Sequence, residues 1–94
     1  MTKYIVVVIA KAKDTNPSFP GQTAVFVYGK NEHMLARGGD HYNVNLFGKQ
    51  KLWKSDVREY GYSRECDAKR SYIYTHSDCE QYWDERVKVV PFEC

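Results

Sequence analysis

The sequence predicts an α+β domain: an antiparallel-rich sheet of four to five strands, with one main helical region at about residues 64–83 packed on one face. Three observations predict it. Tyr4 to Ala12 (YIVVVIAKA) is a continuous β-branched run, the composition of a strand buried on both faces near the middle of a sheet. From Ser63 to Phe92 the apolar spacing begins at three to four residues and then changes to two, as it does where a helix runs into a strand. Between these stretches, His41 to Leu46 (HYNVNL) alternates strictly, which marks a strand with one wet face. At 94 residues the chain, 1–94, is a single compact domain with a modest core.

The elements follow in chain order. After the first strand, Asp14 to Gln22 holds two prolines and a glycine and reads as a loop. Thr23 to Tyr28 is a second strand, antiparallel to the first. Asn31 is suited to cap a helical turn, Glu32 to Arg37, ending at Gly38-Gly39. After the alternating strand, Gly48-Lys49-Gln50 makes a hairpin connection, and Lys51 to Tyr62 returns as a strand. Trp53 and Val57 share one phase of it and Tyr60 and Tyr62 the other, which a bulge near Arg58-Glu59 reconciles.

Ser63 is placed to cap the helix, and Glu65 and Asp67 put negative charge at the positive end of its dipole. Ala68, Tyr72, Cys79 and Trp83 form its apolar stripe, so Tyr72→Asp is expected to unfold the domain. Ser77-Asp78-Cys79-Glu80 has the pattern of a capping box. A break near Tyr74 or Thr75, with a second short turn from Ser77, is therefore expected. In the final strand Val87 and Val89 share one face, and Arg86, Lys88 and Val90 share the other.

Charge and composition exclude several function classes. The longest apolar run, Ile5 to Ala10, is too short to span a bilayer. Met1-Thr2-Lys3 leads directly into a strand, without a secretory signal pattern, so the expected location is cytoplasmic. Three cysteines at wide spacing, Cys66, Cys79 and Cys94, do not form a disulfide framework. The net charge of +2 is unevenly spread: residues 49–70 carry seven Lys/Arg against four acids, and residues 78–85 carry four acids and no base. That balance argues against an acidic mimic of DNA and allows a surface that orients a partner.

Candidate chemistry is sparse. Cys66, His76 and Cys79 could supply three zinc ligands, with His33, His41 or Cys94 as a fourth, but no C-x-x-C pair is present. No metal or other cofactor is expected. Cys66 lies in the first helical turn, where the dipole lowers a thiol pKa, yet no signature of a cysteine enzyme flanks it. No catalytic residue is assigned and the expected protein is not an enzyme; a small cysteine- or metal-dependent enzyme is the third reading. Neither a phosphate-binding nor a dinucleotide-binding glycine pattern occurs.

Aromatic and basic residues carry more. Lys49, Lys51, Lys54 and Arg58 interleave with Phe47, Trp53, Tyr60 and Tyr62, a combination that can stack bases and hold phosphates. A small RNA- or DNA-binding domain is therefore the alternative. The leading expectation is a non-enzymatic protein-binding module, since Tyr and Arg are enriched at interfaces. Its contact residues, left outside by the periodicity, are Lys54, Arg58, Tyr60, Arg64 and Arg70, with Tyr74 as an aromatic anchor.

In plan, the stretches NVNLFGKQKLW and SRECDAKRSYIY…YWDERVKVV resemble the small single-domain α+β proteins of phages and mobile elements, including anti-CRISPR proteins. The resemblance implies an inhibitor that occludes a surface on a larger protein or nucleoprotein complex handling nucleic acid, in the host cytoplasm if the chain is phage-encoded. The slightly basic charge departs from the acidic members of that group.

Overall fold

A computed structural model describes residues 1–15, 17, 20–39, 52–76 and 83–94. Four strands, β1 (Thr2–Ala12), β2 (Thr23–Tyr28), β3 (Met34–Gly39) and β4 (Trp83–Glu93), form one antiparallel sheet in the order β3-β2-β1-β4. Among the described residues there are also three short α-helices, α1 (Lys54–Tyr60), α2 (Glu65–Lys69) and α3 (Tyr72–His76). The molecule is thus α+β, as the sequence predicts.

The β-branched run of β1 is central, paired with β2 from Val6↔Tyr28 to Lys11↔Thr23 and with β4 from Thr2↔Glu93 to Ala12↔Trp83. Both of its faces are covered. On one, Ile5 and Val27 pack with Val57 of α1, and Val90 and Phe92 of β4 join them. On the other, Val6 and Val8 pack with Ala68 of α2, flanked by Ile73, Tyr74, Val87 and Val89. A continuous apolar strand needs cover on both sides, and here helices on opposite faces provide it.

The chain changes face between α1 and α2. β2 begins its pairing with β1 only at Val6, which leaves that side of β1 open at Tyr4. Tyr62 fills the gap: its N–H donates to the Tyr4 carbonyl at 2.9 Å, and Tyr4 N–H donates to the Tyr62 carbonyl at 2.8 Å. Gly61 permits the crossing. A Cβ there would lie 2.5 Å from the Val57 carbonyl oxygen and 2.7 Å from the Lys3 Cβ, closer than real Cβ atoms approach.

Several expectations are corrected. Lys51 to Tyr62 is not a strand over its described part, because Lys54–Tyr60 is helical. The three-residue step from Val57 to Tyr60, which as a strand requires a bulge, is an ordinary helical step. Glu32 to Arg37 is not a helical turn. Asn31 and Glu32 both take φ 57°, and His33 N–H donates to the Lys30 carbonyl at 3.1 Å. Two successive left-handed residues reverse the chain into β3 rather than start a helix, as in tight hairpin turns. Arg37 then lies opposite Phe26 of β2.

The 64–83 region is broken at a different place from the one expected, and Tyr74 and Thr75 lie inside a helix. Arg70 and Ser71 separate α2 from α3, and the Ser71 hydroxyl accepts the Tyr74 N–H at 3.2 Å. Ser at a helix start satisfies a donor that the helix leaves unpaired, so Ser71 begins a new helix beyond which α3 runs to His76. Trp83 opens β4 rather than closing a helix. Ser63 does not cap α2; Arg64 holds that position without a side-chain cap, and the Ser63 hydroxyl accepts from Lys3 Nζ at 3.2 Å. Tyr72 is 61% exposed, off the buried stripe, while Ile73 and Tyr74 face the core. The expected strand His41 to Leu46, its hairpin and the Ser77–Glu80 capping box lie outside the described residues.

Candidate functional site

The most distinctive surface is at the start of α1. Leu52 is half-buried against the Ile5–Val27–Val57 core. Trp53 follows with extended backbone (φ −74°, ψ 120°), and its carbonyl accepts the Val57 N–H at 3.1 Å. That bond closes the first helical turn, and Val57, fully buried, fixes the rotation of the helix. Leu52 is thereby drawn inward and Trp53 is left 76% exposed.

Lys54 and Arg58 are both exposed and four residues apart, so they lie within roughly 40° of each other around the helix. Asp56, two residues from each, lies on the far side. A hollow of about 490 Å³ is lined by Leu52, Trp53, Lys54, Ser55 and Arg58. The site thus joins a large aromatic, an aliphatic wall and two cations. Arg58 is in the last turn of α1, where a cation is favoured by the dipole; Lys54 is in the first turn, where it is not.

The six expected contact residues do not form one surface. Lys54 and Arg58 belong to the α1 side of the sheet. Arg64, Arg70 and Tyr74 belong to the α2 and α3 side. Arg64 donates from Nε to Asp67 Oδ2 at 3.1 Å and from a terminal nitrogen to Oδ1 at 3.4 Å. Those bonds, and then the Asp67 charge, raise its pKa further above its usual value. Arg70 is exposed at the end of α2, and Tyr74 is half-buried against the core. Tyr60 ends α1, its ring stacked on His33 with centroids 3.7 Å apart and planes 12° from parallel.

The residues weighed for metal and thiol chemistry do not converge among the described residues. Cys66 is exposed with a free thiol, and Cys94 is half-buried in the α1-side core. His41, Cys79 and the His76 side chain lie outside the described residues, as do Lys49 and Lys51 of the expected nucleic-acid set. No described helix is long and apolar enough to cross a membrane.

Trp53 is the residue that sequence reasoning placed least well. As part of an alternating strand it reads as one aromatic among bases, whereas at a helix entrance it becomes an exposed anchor. The signal available was Leu52-Trp53 ahead of a Lys-x-x-x-Arg step. No protein-family model, curated protein or solved structure matches this chain.

Proposed function

We propose that this chain is a non-enzymatic protein-binding module whose contact surface is the entrance of α1: Trp53, Lys54 and Arg58 around the Leu52–Ser55 hollow. The observation that carries the reading is the 76% exposure of Trp53 beside two exposed cations. Trp and Arg dominate binding energy at protein interfaces because they bury much area and pair strongly. The cations fit an acidic partner surface, and occlusion of such a surface on a larger complex is the inhibitory form of the proposal.

Nucleic acid is the second reading, favoured by the same exposed indole, which can stack on a base while Lys54 and Arg58 meet phosphates. The two separate by experiment. The immobilised chain should retain a specific protein from lysate, and Trp53→Ala should weaken that complex by about 2 kcal/mol or more. Arg58→Glu should also weaken it, while Arg70→Glu on the opposite face should leave it intact. A low-salt gel shift lost on Trp53→Ala, with no protein retained, selects nucleic acid. Retention unaffected by Trp53→Ala and Arg58→Glu removes α1 as the site.

A further inference from the structure

Among the described strands β4 is the outermost on its side of the sheet, and hydrogen-bond parity shows which of its backbone groups face outward. Tyr4 exchanges backbone bonds with Tyr62, and Ala12 N–H donates to the Gln22 carbonyl at 2.7 Å. Even-numbered residues of β1 therefore turn their backbone groups away from β4. The odd ones turn toward it, opposite Asp84, Arg86, Lys88, Val90 and Phe92. Cys94 N–H, donating to the Met1 carbonyl at 2.9 Å, continues that series. By alternation, Val87 and Val89 direct their N–H and C=O groups outward, along an edge with which no described strand pairs. Pro91 follows in the same outward phase and has no N–H, which ends the usable edge there.

The side chains flanking this edge have a clear preference. Arg86 and Lys88 are exposed, two residues apart on the α1 face of β4. Across β1 they meet Ile9 and Val7, which offer no carboxylate. Asp84, next on the same face, lies opposite Lys11. A guest strand places its residues directly opposite Arg86 and Lys88, with Cβ atoms roughly 4.5–5.5 Å away.

We propose that the Val87–Val89 edge receives an extended acidic segment of a partner protein. That segment runs antiparallel to β4 and carries two carboxylate side chains two residues apart, opposite Lys88 and Arg86. Main-chain bonds to Val87 and Val89 supply binding, the two carboxylates set the register, and Pro91 fixes where pairing stops. The site is independent of the α1 entrance.

The test uses the full chain and two capped eight-residue peptides of alternating threonine and valine. One carries two glutamates two residues apart, and the other carries lysines at those positions. The glutamate peptide should bind saturably, shift the amide resonances of Val87 and Val89, and bind about tenfold more tightly than the lysine peptide. The double variant Arg86→Glu with Lys88→Glu should reverse that preference, a result that loss of folding cannot imitate. Absence of saturable binding, or a preference unchanged by the double variant, overturns the proposal. So does protection of the Val87 and Val89 amides that rises with protein concentration without peptide, which would assign the edge to a second copy.

Discussion

Gly61 lacks a side chain because the Val57 carbonyl and the Lys3 Cβ occupy the space that one would need. Neither neighbour can yield easily: one is helix backbone and the other is held by β1. Gly61→Ala should therefore lower stability by about 1–3 kcal/mol, read as a shift of the urea midpoint without change of slope. A midpoint unchanged by the substitution would mean that the crossing from α1 to Tyr62 is looser than its hydrogen bonds imply. Trp53 illustrates how far single residues were legible. Its type marked it only as one aromatic among bases, and its exposure depends on Leu52 turning inward beside it, which no residue spacing states.

Among the elements, α2 and α3 expose the difference between a stripe and a break. Ala68 is fully buried and Tyr72 is 61% exposed, although four residues separate them. Ser71 restarts the helix between them and rotates α3 relative to α2. Ala68→Asp should prevent cooperative folding, since it buries an unpaired charge against Val6 and Val8. Tyr72→Asp should melt cooperatively and lose less than about 1 kcal/mol, a pair of outcomes that thermal denaturation distinguishes. The strands β1 and β2, and β4 from Arg86 onward, were legible because their β-branched residues and alternation state their own burial. β3 was not, because Met34–Gly39 is short and glycine-terminated and becomes a strand only by lying beside β2. α1 was not, because seven residues give one buried position, Val57, and too few repeats to declare a period.

At the scale of the whole molecule, β1 and β4 pair over eleven positions from Thr2↔Glu93 to Ala12↔Trp83. The Thr2 hydroxyl also donates to the Glu93 carboxylate. The central strand therefore acquires one neighbour from nearby sequence and the other from the far end of the chain, so half of its ladder waits on a long loop closure. Such non-local pairing slows folding. Joining Cys94 to Met1 through a short Gly/Ser linker and opening the chain after Gly39 should accelerate refolding in stopped-flow measurements; a rate equal to or below that of the parent chain would count against this account. In that rearranged order the strands read β4-β1-β2-β3, each beside its predecessor. The described strands thus form an up-and-down meander read from the wrong starting point, and the stretch that carries α1, α2 and α3 is the detour that separates its first strand from the other three.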